Sequence, residues 1–431
     1  MKKYLAIILA ICMVLSLCAC GSSSTTTTDT SSSAAADTST AADTSTDTAS
    51  DDAASDDTAA ASTELPVASD YELVEWDGTS EPTRDNGPWA QAYAVADALA
   101  EMAAQYDDVV ATRTYTVACH DPANSAPGEF LSAWADAITV ATEGAVDLNI
   151  GYSGAMSGTM AALDDMKSGA IDFCWTLPCY FKGYMPYTNV IQNPGLEIPN
   201  ATVGSYTMWE LYKSSDVLQA EFADDGEVMF VWANCPSPLS YKGDHEITSL
   251  SEVTGNIRGN NGPAQTFIDE VGATVFSCAI GDVYTNVTTG IINYLITDWH
   301  GIASFALYDE GVLNYYVDTN IGCSAYSLMC NSDIWGAMDA DTQAAIKSVS
   351  GDYLLNLVQI WEYWTAYGRY SAESTGGVIF EPSDELAADL TAAYDAVAET
   401  WVSEQADTAV AQDLYDTAKS LVAEYSAQFD F

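Results

Sequence analysis

From Thr114 to Leu177 the chain alternates between two apolar periodicities, and this alternation restricts the fold more than any other feature. "TYTVACH" has strand spacing and leads into the polar loop "DPANSAPG". "EFLSAWADAITVATEG" sets Phe130, Trp134, Ile138 and Ala141 on one helical stripe and stops at Gly144. "AVDLNIGYSG" returns to strand spacing, "TMAALDDMKSGA" to helix and "IDFCWTL" to strand. A β-α-β-α-β order predicts a mainly parallel sheet flanked by helices. Ligands of such sheets bind beyond the carboxyl ends of the strands, so the loops His120 to Gly128 and Leu177 to Tyr184 are candidate ligand loops.

A second αβ series follows. "EVMFVWAN" reads as a strand that passes from one lobe to the other, and "SEVTGNIRGNN" holds a short strand ending in a Gly/Asn-rich loop. "PAQTFIDEVGA" is a helix, "TVFSCA" a strand, "GDVYTNVTTG" a helix and "IINYLITDWHG" a strand with its exit loop. The chain then returns through "CSAYSLMCNSDIW" and ends in long amphipathic helices, including "DTQAAIKSVSGDYLLNLVQIWEYWTAYGRYSAEST" and "ELAADLTAAYDAVAETWVSEQA". The predicted fold class is α/β: two lobes with a cleft between them and long C-terminal helices, an arrangement that suggests a binding protein. Such lobes close around a ligand.

The other end of the chain has different physics. "MKKYLAIILAICMVLSLCAC" couples two lysines to an apolar run too short for a membrane span, which needs about 20 apolar residues. It reads as a secretory signal over residues 1–20, and Leu-Cys-Ala-Cys resembles a bacterial lipobox that would leave Cys20 lipidated. Residues 21–64 are almost entirely Ser, Thr, Ala and Asp and cannot offset their conformational entropy, so a disordered tether is expected. In 65–112, a turn-rich stretch precedes "WAQAYAVADALAEMAAQY", where Trp89, Tyr93, Val95, Leu99 and Met102 suit one buried helical face. The two-lobed part is expected over 113–431. Lobe I takes about 113–232 and 323–352, lobe II about 233–322, and the C-terminal helices are shared.

The formal net charge of −50 argues against nucleic-acid binding and against adsorption to anionic headgroups, leaving the lipid anchor as the means of membrane attachment. Seven cysteines follow Cys20 without a CxxC pair; most sit in apolar runs as small core residues, and the sequence singles out no disulfide. His120, His245 and His300 stand at no zinc-motif spacing, so neither a metal site nor a cofactor is expected. No nucleophile elbow, phosphate loop, HExxH or dinucleotide fingerprint occurs, which argues against an enzyme.

Three stretches, in this order and at this spacing, resemble one family. They are "YTVACHDPANSAPGEFLSAWADAI", "EGAVDLNIGYSGAMSGTMAALDDMKSGAIDFCWTLPCYFKGYMP" and "SLSEVTGNIRGNNGPAQTFIDEVGATVFSCAIGDVYTNVTTGIINYLIT". The family is the solute-binding receptors of tripartite ATP-independent periplasmic (TRAP) transporters, of the dicarboxylate-receptor (DctP-like) type. The resemblance implies an extracytoplasmic receptor that binds a small carboxylate and delivers it to a small and a large membrane subunit. It also implies that the arginine of the "G-x-[apolar]-R" strand, here Arg258, pairs with the ligand carboxylate.

Arg258 is one of four arginines in the chain, and a guanidinium can grip a carboxylate with two parallel hydrogen bonds. Its alternative use is a salt bridge to one of the many acids. The resemblance further points to His120 in the first loop, to Trp175, Leu177 and Tyr180 after the third strand, to Asn261, and to Thr297 and Trp299 near "ITDW". For the aromatic residues the alternative is plain core packing, and for His120 the capping of a loop. Two departures bear on the ligand. Ile292-Asn293-Tyr294 stands where many members have Val-Asp-Gly, and "ANCPSPLSYKG", a region that often supplies a second arginine, has none. With Trp175, Tyr180, Trp232, Tyr241 and Trp299 expected near the cleft, the sequence favours a monocarboxylate with an apolar or aromatic body over a compact dicarboxylate. The alternatives are the binding lipoprotein of an ATP-driven importer and a ligand-sensing surface lipoprotein.

Overall fold

The structure, a computed structural model, describes residues 64–429. The expected signal, Cys20 and the Ser/Thr/Ala/Asp segment as far as residue 63 lie outside the described residues. Eleven strands occur among the described residues: β1 Arg113–Ala118, β2 Val146–Gly151, β3 Phe173–Thr176, β4 Glu227–Ala233, β5 Leu239–Tyr241, β6 Asn256–Arg258, β7 Thr274–Phe276, β8 Tyr294–Ile296, β9 Tyr315–Val317, β10 Ala325–Cys330 and β11 Val378–Phe380. They form two sheets, ordered β2-β1-β3-β10-β4 and β11-β9-β5-β8-β6-β7. The chain is therefore the two-lobed α/β molecule that the alternation of periodicities predicts.

In the first sheet β1 runs parallel to β2 and β3, with Ala118 opposite Gly151 and Cys174, while β10 is antiparallel to β3 and β4. In the second, β6 lies between β7 and β8, parallel to both, with Arg258 opposite Phe276 and Leu295. The parallel strands of both lobes end in the loops that carry the candidate site.

The helix Ala126–Ala141 shows how local chemistry sets this up. Ser125 caps it by accepting from the Gly128 amide at 3.2 Å, and Phe130, Trp134, Ala137 and Ile138 turn inward. A side chain at Gly128 would meet the Pro122 carbonyl oxygen at 2.3 Å. Glycine there lets the loop after β1 fold tightly over the helix start and keeps Asp121 at the strand end.

Among the stretches that carry the chain between lobes are one from β4 to β5 and one from β9 to β10. They are tied together: the Asn234 amide donates to the Ser324 carbonyl at 3.1 Å, and the Ser324 amide donates to the Asn234 side-chain oxygen. The helix Asp384–Glu404 packs on the second lobe's helix Pro263–Glu270, and Thr408–Gln428 returns to Ala201–Ser214 of the first.

The stretch expected as one helix from Asp341 is broken into Ala340–Ser348, a 3-10 segment Gly351–Leu357 and Ile360–Ser374. Gly351 has φ of 57°, and a side chain there would lie 2.9 Å from Trp209. Ser350 is held by Trp134 Nε1, which donates to its hydroxyl at 3.2 Å. Core packing against two tryptophans overrides the helical periodicity at this point.

The extension before β1 has a structural part. Its helix Ala90–Ala103 buries Tyr93, Val95 and Leu99 against Ala126–Ala141, while Met102 is half-buried and Ala103 takes the expected inward place. Tyr93 Oη and Trp364 Nε1 both donate to Glu129, at 2.6 and 2.9 Å. No helix among the described residues is long and apolar enough to cross a membrane.

Candidate functional site

Strand ends from both sheets enclose a polar cavity. β1 delivers His120 and Asp121, β3 delivers Leu177 and the turn with Tyr180, β6 ends on Arg258, and β8 is followed by Thr297 and Asp298. Asn234 and Ser324 from the two crossovers complete the floor, and Trp175, Tyr326, Ile280 and Phe305 the walls. The space they border is about 370 Å³, part of it open to solvent.

Six residues singled out in the sequence line this cavity: His120, Trp175, Leu177, Tyr180, Arg258 and Thr297. Asn261 lies just outside it. Its main-chain and side-chain amides donate to the Cys179 carbonyl at 3.2 and 2.9 Å, and its side chain reaches the Tyr180 carbonyl at 3.2 Å, so it joins the Arg258 loop of one lobe to the Leu177–Tyr184 loop of the other. Trp299 turns away as the first residue of the helix Trp299–Ser304 and packs on Tyr316, with the Arg369 guanidinium 5.2 Å from its ring centre. Trp232 is stacked in the core on Phe130 and Phe230, and Tyr241 on Tyr315. The aromatic wall expected from the sequence is thus thinner, consisting of Trp175, Tyr180, Phe305 and Tyr326.

Arg258 is 2 % exposed, and among the described residues no carboxylate lies within salt-bridge distance of it. Its neighbours are neutral: the Cys278 carbonyl, 3.4 Å from a terminal nitrogen, and the Tyr180 hydroxyl. Its Nε has no hydrogen-bond partner among the described residues, and neither do His120 Nδ1, Trp175 Nε1 and His300 Nε2. A guanidinium taken from water without a counter-charge is costly. A bound carboxylate would supply both the charge and the missing acceptors.

The rest of the polar cluster was missed at sequence level. Asp298 caps the helix Trp299–Ser304 by accepting from the Gly301 amide at 3.0 Å, and it also accepts from Asn234 Nδ2 at 2.6 Å and the Tyr326 hydroxyl at 3.3 Å. His300 Nδ1 stands 3.1 Å from the same carboxylate. Burial works against both charged forms, but their mutual attraction prevails: the Asp298 pKa is lowered and the His300 pKa raised, giving a carboxylate–imidazolium pair. Burial, with His300 and Arg258 adding repulsion, lowers His120 to about 3, so this ring is neutral, stacked 4.3 Å from Trp175. Burial raises Asp121 to about 6. The signal for this cluster is present as "CHD" and "TDWH", which put a histidine one and two residues from an aspartate after a strand end. Their meeting across lobes is a long-range fact.

The profile of the bacterial extracellular solute-binding proteins, family 7 (DctP), matches residues 118–405. A solute-binding protein from Chromohalobacter salexigens is 23% identical over 278 residues, covering 62% of this chain and 80% of that protein. A marine-metagenome TRAP solute-binding protein specific for aromatic acid ligands, solved with metahydroxyphenylacetate, superposes with a TM-score of 0.67 at 20% identity, covering 72% of this chain and 99% of its own. A TRAP solute-binding protein from Rhodoferax ferrireducens with copurified benzoate gives 0.67 at 20% identity, over 73% and 98%. A Bordetella pertussis extracytoplasmic solute receptor binding pyroglutamic acid gives 0.63 at 16%, over 71% and 99%. With the profile spanning most of the chain and the two-lobed fold shared, this protein belongs to family 7 of the bacterial extracellular solute-binding proteins, the solute receptors of TRAP transporters.

Proposed function

We propose that this receptor captures a small organic monocarboxylate, gripping the carboxylate with Arg258, and passes it to the two membrane subunits of a TRAP transporter. The observation that carries the reading is a buried guanidinium with no carboxylate partner among the described residues. The cavity holds one guanidinium and two aspartates, so the second carboxylate of a compact dicarboxylate would face Asp121 or the already paired Asp298. Trp175, Leu177, Ile280 and Phe305 offer apolar surface to an aromatic or aliphatic body. The related receptors solved with benzoate and metahydroxyphenylacetate favour the same ligand class. Anchoring through a lipidated Cys20, with residues 21–64 as a tether, belongs to the same proposal. The family match favours a TRAP partner over an ATP-driven importer.

The high net negative charge is no obstacle. Exposed charges beyond about 8 Å are screened at physiological salt, whereas a desolvated contact to Arg258 is not. Thermal unfolding of the chain from Leu65 onward against a panel of acids tests the reading. A ligand at 100 times its dissociation constant adds about 2.7 kcal/mol, seen as a raised midpoint. Benzoate, 3-hydroxybenzoate, mandelate and phenylacetate are expected to score above succinate and malate. Tightest binding by succinate or malate would overturn the monocarboxylate assignment.

A further inference from the structure

Asp121 is the one acid of this cavity that the protein leaves unfinished. Its residue is 2 % exposed, it lines the same space as Arg258, and its carboxylate is met among the described residues only by two loose histidine contacts. The nearest nitrogens are His120 Nε2 at 3.5 Å and His300 Nε2 at 3.8 Å, both beyond a good hydrogen bond. Asp298, a few ångströms away across His300, is the internal control: it accepts from Asn234, Gly301 and Tyr326 and is paired with His300.

The main chain cannot carry Asp121 elsewhere. Its carbonyl accepts from the Ser153 amide at 2.8 Å and the Cys119 thiol at 3.6 Å, and the close approach at Gly128 pins the loop that follows. The cavity therefore presents two incompletely bonded groups of opposite kind, the Arg258 guanidinium and the Asp121 carboxylate, and Trp175 Nε1 and His300 Nε2, which make no hydrogen bond among the described residues, belong to residues of the same lining. Buried polar groups are ordinarily satisfied, and a site with an open acceptor discriminates against ligands lacking the donor.

We infer that the ligand carries, besides its carboxylate, a hydrogen-bond donor on its body, an O–H or an N–H, which Asp121 accepts, making Asp121 a specificity-determining residue. The inference rests on the carboxylate reading of Arg258 and adds a second polar point to it. Hydroxy acids and amino acids share this chemistry, and matched pairs tell them apart.

The experiment is titration calorimetry at pH 7.5 with benzoate against 3-hydroxybenzoate, phenylacetate against mandelate, and 3-phenylpropionate against phenylalanine. In at least one pair the donor-bearing acid is expected to bind roughly 10- to 100-fold more tightly, the range set by one buried acceptor left unsatisfied. A preference confined to the first two pairs identifies a hydroxyl, and one confined to the third an ammonium. Asp121→Leu, which removes the acceptor, is expected to bring the preferred pair to within about threefold. Asp121→Asn, the variant that keeps the shape, is expected to lose an ammonium preference and keep part of a hydroxyl one. Equal binding within every pair by the parent, or a preference that survives Asp121→Leu, overturns the inference while leaving the carboxylate reading standing. Absence of binding by all six acids, or an Arg258→Ala variant that binds as the parent does, overturns the carboxylate reading and this inference with it.

Discussion

Arg369 and Arg258 set the same planar fork in two regions of the molecule, and their surroundings differ in one respect. Arg369, on the helix Ile360–Ser374, lays both terminal nitrogens on Asp318 at 2.7 Å each and rests over Trp299. Its fork is completed by the chain itself, and it braces the crossover that follows β9. Arg258 is more deeply buried and meets only neutral groups. A guanidinium closed internally belongs to the frame, whereas the one that meets only neutral groups is the one proposed here to take a ligand carboxylate. Chemical type does not separate the two arginines; the presence or absence of an aspartate does.

The largest expected effect breaks the comparison on the open side. Arg258→Ala should weaken binding of any scoring acid about 100-fold or more, about 3 kcal/mol, in titration calorimetry. The melting midpoint of the ligand-free protein should hold or rise, since a lone buried charge has gone. A loss of affinity below threefold would sink the distinction between the two arginines.

The next effect concerns Asp121 in the empty cavity. Burial holds its carboxyl at about 6 in the fold, above the ordinary value of 3.8, so between these values the folded state binds more protons than the unfolded chain. Stability then falls as pH rises through that window and stays lower above it. Asp121→Asn is therefore expected to stabilise the ligand-free protein by about 3 kcal/mol at pH 7.5, with the gain fading by about pH 4. Denaturant unfolding at both pH values measures this, and a gain equal at both would rule the mechanism out.

Asn261 sharpens the same side. It joins the Arg258 loop to Cys179 and Tyr180 across the cleft, so Asn261→Ala should lower affinity about fivefold, about 1 kcal/mol, through an easier opening of the lobes. Its effect should be read mainly in the dissociation rate by stopped flow; an unchanged rate would mean that the latch is idle. On the closed side, Asp318→Asn should cost about 1 kcal/mol of stability at most, because the pair is partly exposed, with affinity unchanged within about twofold. A larger change in affinity would move Arg369 into the binding machinery.

The legible part of this molecule follows local chemistry. Alternating periodicity between Thr114 and Leu177 placed β1, β2 and β3, and the scarcity of cations drew attention to Arg258 in its Gly/Asn loop. What stayed hidden depends on distance along the chain. Asp121 and His300 approach within 3.8 Å from strand ends far apart in sequence, and nothing local announces that Asn234 and Tyr326 will converge on Asp298. Trp299 misled because its strand end does face the cavity, while the helix begun by Asp298 swings the next side chain behind it. The helix expected beyond Asp341 failed at Ser350 and Gly351, where Trp134 and Trp209 dictate the backbone.

The bond between the two crossovers carries a last consequence, one for how such a receptor acquires new ligands. Asn234 holds Ser324 in the neighbouring crossover and also donates to Asp298, so a substitution there perturbs the crossovers and the cavity floor at once. Leu177, Ile280 and Phe305 line the same cavity with side chains that carry no hydrogen bond. Drift in these wall positions leaves the crossovers alone and changes the shape of the space, so diversification should accumulate there first. A library randomised at these three residues, selected for growth on foreign acids, would start from the part of the site that is free to vary.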